Sequence, residues 1–253
     1  MLYYLAFWSF AMGLVVGSFL NVVIYRMPRR ESLVSPGSHC PRCGASIHWY
    51  DNVPVVSWLL LRGHCRSCHA PIALRYPMVE LLTGFGFLAA FVRIGYSPAV
   101  LLAWAAIAVL VALAFIYHDL GIVLDRLILP ATIIGLTASI ALDPQEWWYY
   151  IAASVGAGLV ALGLSLLGPS GVRFGEAKVA MFLGAVLGPW VLAAVPLALV
   201  LRTVAGIALV FWKRGRYEAR TVFAPYGLNG RMRQHVEQTD KHDAKDAEVM
   251  TWL

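Results

Sequence analysis

Residues 38–80, SHCPRCGASIHWYDNVPVVSWLLLRGHCRSCHAPIALRYPMVE, hold every cysteine of the chain, as two C-x-x-C pairs, Cys40/Cys43 and Cys65/Cys68, with 21 residues between them. Each pair sits in a short turn-forming context, Pro41-Arg42 or Arg66-Ser67, and from a tight turn two such thiolates can face one ion. Two such turns complete the tetrahedral four-sulfur set that structural zinc prefers. Two disulfides are the competing reading, and they need an oxidising compartment. From Arg26 to Arg75 there are seven Lys/Arg against only Glu31 and Asp51. That balance keeps the segment on the cytoplasmic side of a membrane and favours zinc. His39, His48, His64 and His69 share the segment, but four thiolates already saturate a tetrahedral ion, so they read as polar contacts of the loop.

The remainder of the chain is made for lipid. Its 253 residues are 60% hydrophobic and 13% charged, with a mean hydropathy of +0.69, whereas a soluble domain is about 25% charged. The apolar residues come in long runs rather than at amphipathic spacing. The runs predict spans at 2–25, 79–92, 99–117, 127–142, 147–167, 179–187 and 191–211, the last two parted by Gly188-Pro189. The first has no basic region before it and no small-residue cleavage site, so it reads as a retained helix rather than a signal peptide. Its Gly13-x-x-x-Gly17 either lets a neighbouring helix approach closely or faces lipid by chance; the sequence leaves this open. Arg202 falls inside the last run and has to snorkel or find a partner.

Seven spans from an outside N-terminus put the cysteine loop, the loops bearing Asp119 and Glu176, and the tail all inside. Of the 20 Lys/Arg only Arg93 is then left outside. The expected architecture is an all-α polytopic membrane protein of about seven transmembrane helices with a small cytoplasmic four-cysteine zinc-binding insertion. It divides into a first helix (1–25), the zinc domain (26–78), a transmembrane bundle (79–212) and a basic, polar tail (213–253) expected to be largely disordered. The net charge of +6 lies in loops and tail, not on one basic face. That excludes a nucleic-acid partner and leaves the lipid bilayer. No internal repeat is evident.

Between Leu81 and Tyr217 the carboxylates are Asp119, Asp125, Asp143, Glu146 and Glu176. Asp143 and Glu146 belong to an outer turn. Asp119, Asp125 and Glu176 stand where inner loops meet spans, at one predicted depth, with Glu176 in a glycine-rich loop at 168–178. Two carboxylates brought together there would share a proton, one serving as base and one as acid, and would activate water against a peptide carbonyl. The plainer account is that all three merely flank helix ends, and spacing alone favours it. Lys178 either pairs with one of these acids or marks the inner interface, and His118 either tunes Asp119 or simply ends a helix.

The strings HCPRCG, WYDNVPVVSWLLLRG, CRSCHAPI and RYPMVELLTG, with GSFLNVVIYRMPRR at 17–30, strongly resemble the type IV prepilin peptidases, the prepilin leader peptidase/N-methyltransferases. The resemblance implies a multi-pass aspartic endopeptidase of the bacterial inner membrane. Such an enzyme cuts the leader from prepilin or pseudopilin substrate helices after a glycine. It then methylates the new N-terminus with S-adenosylmethionine. Asp119, after Phe115-Ile116-Tyr117-His118, stands for the family's first catalytic aspartate, and Asp125, before Leu129-Pro130, for a later acid. The interval is shorter than the family's, which keeps Asp125 as an alternative, with Lys178 in support. The second aspartate closes a G-x-G-D-x-K motif that here reads Arg173-Phe174-Gly175-Glu176-Ala177-Lys178. Glu176 keeps the carboxylate but shifts its oxygens by about 1 Å, a displacement that can be costly to catalysis. TVFAPYGL at 221–228 resembles the stretch that opens the family's final helix. No glycine-rich strand–helix turn marks a methyl-donor site, so S-adenosylmethionine rests on the resemblance. The departures leave two alternatives: a protease-impaired or methyltransferase-only relative, or a non-enzymatic zinc-bearing scaffold of a pilus or secretion assembly.

Overall fold

A bilayer core about 30 Å thick is crossed by about 20 helical residues. In the computed structural model, which describes residues 1–35, 37–40, 42–167 and 174–194, six stretches meet that requirement. The helices are α1 (Leu2–Arg26), a short α2 (Val56–Leu60), α3 (Arg75–Ile94), α4 (Ala99–Leu120), α5 (Asp125–Leu142), α6 (Trp147–Leu167) and α7 (Phe174–Leu187). There is no named strand among the described residues. The packing below is that of the compact unit Met1–Leu192.

Three boundaries differ from the sequence reading. α3 starts at Arg75, inside the stretch assigned to the zinc domain, because Arg75-Tyr76-Pro77 places Pro in a helix's first turn, where its missing N–H costs nothing. Phe174 to Lys178, expected in a loop, are the first turn of α7. At Gly188–Trp190 the backbone tightens to a 3-10 turn and resumes as helix, so Gly175–Ala194 is one candidate span and Gly188-Pro189 is not a loop between two. The 14 residues of α7 alone rise only about 21 Å, too short to cross. Residues 168–173, the expected seventh span from 195 on with Arg202, and the tail with TVFAPYGL lie outside the described residues.

The bundle is held by three apolar clusters. Leu20 and Ile24 of α1 meet Val79 of α3 and Ala112 and Ile116 of α4. Ala106 and Leu113 of α4 meet Ile128 of α5 and Phe182 of α7. Ala161 of α6 packs on Ala177 and Ala180 of α7. α4 thus joins an α1–α3 half to an α5–α7 half.

Lipid supplies no hydrophobic drive between helices, so close backbone packing decides their association. Gly13 and Gly17 provide it. A Cβ on Gly13 would lie 2.7 Å from the Gly84 Cα, and one on Gly17 would lie 2.6 Å from the Glu80 Cα. The pair is an interface, not chance. Two hydroxyls at this interface are answered within their own helices: Ser9 Oγ donates to the Leu5 carbonyl and Thr83 Oγ1 to that of Val79, each at 2.8 Å. Gly17→Val is expected to force α1 from α3 and destabilise the fold by about 1–3 kcal/mol. Thermal unfolding in detergent, with Val15→Ala on the exposed side of α1 as the reference, measures it.

Candidate metal centre and membrane-edge carboxylates

Each C-x-x-C is a tight turn closed by backbone hydrogen bonds. In the first, the Gly44 N–H donates to the Cys40 carbonyl at 2.8 Å, and the Cys40 N–H to that of Ala45 at 2.9 Å. In the second, the His69 N–H donates to the Cys65 carbonyl at 3.0 Å, and the Cys65 N–H to that of Ala70 at 2.8 Å. The residue after each second cysteine is left-handed, Gly44 at φ +69° and His69 at φ +55°. The Ile47 and Ile72 N–H groups reach back to Ser38 and Gly63, and bridges join His39 to Ser46 and His64 to Pro71. The Nδ1 atoms of His39 and His64 lie 3.0 and 2.7 Å from the Gly37 and Arg62 carbonyls. Every one of these pairs recurs 25 residues later. H-C-x-x-C-x-A-x-I is therefore a duplicated unit, and the expectation of no internal repeat is corrected. Both histidines serve the turn, as the sequence reading held.

The four sulfurs lie within 4.8 Å of one another, with Cys40 Sγ 3.8 Å from Cys68 Sγ, and none is in a disulfide. Sulfurs bound at about 2.3 Å to a tetrahedral ion stand about 3.8 Å apart, so the set fits one metal ion. The backbone N–H of Cys43 leads in lowering the Cys40 thiol to about 6. The Ala70 N–H lowers the Cys68 thiol, but burial and hydrogen bonding with the other three thiols outweigh that and raise it to about 11. A cation bound among them would replace this mutual restraint with a common attraction. Beside the second turn, Arg66 forks onto Asp51, Nε to Oδ2 at 2.8 Å and Nη2 to Oδ1 at 2.6 Å. The fork ties the second cysteine turn to the 3-10 turn Trp49–Asn52.

The acids come from helix ends on one side of the bundle. Asp119 is in the last turn of α4, where Arg75 at the start of α3 approaches its Oδ2 at 2.6 Å and His118 Nδ1 lies 3.2 Å from its Oδ1. Asp125 opens α5, with Lys178 Nζ 2.5 Å from its Oδ1. Of the two readings of Lys178, pairing is the one realised. Glu176 is in the first turn of α7. That turn is pressed on the α4–α5 connection, since a Cβ on Gly175 would lie 2.6 Å from Val123 Cγ2. The α1 end shares this side, as the Asn21 amide donates to the Tyr76 carbonyl at 3.2 Å.

Two groups went unassigned from sequence. Arg75 counted only as loop charge, and nothing local shows that it meets an acid 44 residues on. Glu80 lies in an apolar run and is 8% exposed. Its Oε2 accepts the Val55 N–H at 2.7 Å. Val55 itself is at φ +59°, ψ −48°, with the Val56 N–H donating to the Pro54 carbonyl at 2.5 Å. This is a γ-turn centred on a β-branched residue, a conformation that costs of order 1–3 kcal/mol and persists only where surroundings enforce it. The one signal in the sequence was a lone acid, Glu80, inside the apolar stretch 78–82.

Comparison with known proteins bears on the whole arrangement. The family described as Bacterial Peptidase A24 N-terminal domain matches residues 11–94. A prepilin leader peptidase/N-methyltransferase of Myxococcus xanthus (strain DK1622) is 50% identical over 139 residues, 54% of this chain and 40% of that protein. One of Burkholderia pseudomallei (strain 1026b) is 34% identical over 258 residues, 86% of this chain and 81% of that protein. One of Aeromonas hydrophila is 34% identical over 254 residues, 86% of this chain and 85% of that protein. No solved structure matches the chain.

The Arg66 guanidinium holds the Asp51 carboxyl below its usual range. The pair's contribution is therefore present above the unfolded carboxyl value of about 3.9 and is lost as pH falls through the lower folded value. Amide protection around the second cysteine turn, taken against each amide's intrinsic rate, is expected to fall in that acid window. Asp51→Asn should show the lower protection already at neutral pH.

Proposed function

The chain belongs to the prepilin leader peptidase/N-methyltransferase family, and we propose that it cuts the leader from type IV prepilins or type II secretion pseudopilins after a glycine and methylates the amine so exposed. What supports this reading is that Asp119, Asp125 and Glu176 stand at the ends of α4, α5 and α7 on one side of the bundle. In the proposed chemistry Asp119 and Glu176 are the pair. One carboxylate takes a proton from water while the water oxygen attacks the carbonyl carbon of the scissile peptide. The other, protonated, gives its proton to the carbonyl oxygen. Collapse of the tetrahedral carbon breaks the C–N bond, and the proton taken from water passes to the leaving nitrogen. Arg75 orients Asp119, and Asp125 with Lys178 supports α7 beside it. Asp125 is the alternative partner should Asp119 stay committed to Arg75.

Cys40, Cys43, Cys65 and Cys68 would hold zinc. Four sulfur ligands close the coordination shell, so the ion serves as a structural staple with no place for a reacting water. S-adenosylmethionine is the methyl donor that family membership suggests, with no residue assigned to it. The reading places the protein in the bacterial inner membrane, with insertion, acids and tail on the cytoplasmic side. Its divisions are the first helix, the insertion, the bundle from α3 on, and the tail.

Mass spectrometry of a co-expressed prepilin's N-terminus tests cutting and methylation together. Asp119→Asn and Glu176→Gln are each expected to lower cutting by about 100-fold or more. Complete processing by both variants would end the two-carboxylate mechanism. A protease-impaired relative is the second reading, favoured by Glu176 in place of Asp and by the cations already on Asp119 and Asp125. It gains if cutting appears only in Glu176→Asp. Metal analysis is expected to find one zinc per chain, lost in Cys40→Ser together with amide protection in the insertion.

A further inference from the structure

Residues 53–60 present two unlike sides. Ser57 is buried, its Oγ donating to the Tyr50 carbonyl at 2.9 Å, and Trp58 Nε1 donates to the Ile72 carbonyl at 3.1 Å. These fasten α2 to the cysteine domain. Val53, Val56, Leu59 and Leu60 are all exposed, Leu60 at 78%. For an insertion held together by four sulfurs, that is a costly edge to leave in water.

Its depth says what covers it. The Val55 N–H is hydrogen-bonded to Glu80, and Glu80 is five residues inside α3 from Arg75, about 7.5 Å along the axis. Arg75 and Asp119, an ion pair at the helix ends, mark the level at which charge meets the headgroups. The Glu80 side chain leans back toward the start of α3, so the bond holds Val55 between that level and the depth of the Glu80 Cα. There the neighbouring exposed side chains of α3 are Met78 and Leu82, and those of α1 are Val15 and Phe19, the outward faces of two candidate spans. The apolar edge continues their band. Helices lying in the interface bury their apolar faces about 5–10 Å into the headgroup–acyl boundary, and the Glu80 Cα, about 7.5 Å from Arg75, is the lower limit that the bond sets for Val55. Arg62, just past the edge, can carry its stem along lipid and its charge outward.

We propose that the 53–60 edge is a lipid-embedded tip that holds the four-cysteine insertion flat on the leaflet, its occupant being the headgroup–acyl boundary of the bilayer. A substrate helix is the rival occupant, and one experiment separates them. p-Benzoyl-L-phenylalanine replaces Leu59, Leu60 or, as the lipid-facing reference, Leu82 in the full chain. The protein is reconstituted in phospholipid nanodiscs with and without a prepilin, irradiated, and its adducts are identified by mass. Phospholipid adducts at 59 and 60, undiminished by the prepilin, are the expected result. Adding Val56→Glu should abolish the adduct at 59 and leave that at 82. A prepilin adduct at 60 would overturn the proposal, as would no lipid adduct at 60 while 82 forms one. The readout is lipid contact, so it stands apart from whether the protein cuts prepilins.

Discussion

α1 and α3 approach until backbone touches backbone, and the cysteine insertion is the chain that joins them. With no side chain at Gly13 or Gly17, the second and third turns of α3 lie against α1, and the insertion's two ends are fixed at neighbouring points. α3 then works in three directions from one short stretch: Arg75 toward Asp119, the Tyr76 carbonyl toward Asn21, and Glu80 toward Val55. A larger residue at position 17 would disturb all three, because each depends on the height of α3 rather than on its own strength.

Much of this was legible beforehand because it is local. Thiolate spacing within a turn and uninterrupted apolar runs are short-range patterns, and they yielded the four-cysteine set and the first five spans. The duplication was hidden because its halves are parted by an unrelated stretch, 48–63, and share only five of nine positions. Pairings over long chain distances were not legible either. Asp125 meets Lys178 across 53 residues, and nothing in either neighbourhood singles out the other. Glu80 was passed over for a different reason: a lone acid in an apolar run looks like an interface charge until its acceptor geometry is seen. The start of α7 was misread because Gly175 suggests a loop, whereas its missing Cβ serves a close approach to Val123.

The carboxylate end and the cysteine insertion are joined mechanically. Arg75 is the first residue of α3 and the first after the insertion, and it carries Asp119. Any shift of the insertion that moves Arg75 acts directly on that acid's orientation. Lys178 similarly ties the start of α7 to α5. The acids are thus steered from both halves of the bundle, with α4 between them.

The γ-turn at Val55 has a consequence for the birth of the protein. Its amide finds its acceptor on Glu80, downstream by 25 residues, so a nascent chain that has made both cysteine turns still lacks the group that sustains the strained backbone. The insertion can reach its final form only once α3 is in place beside α1 and has brought Glu80 to the turn.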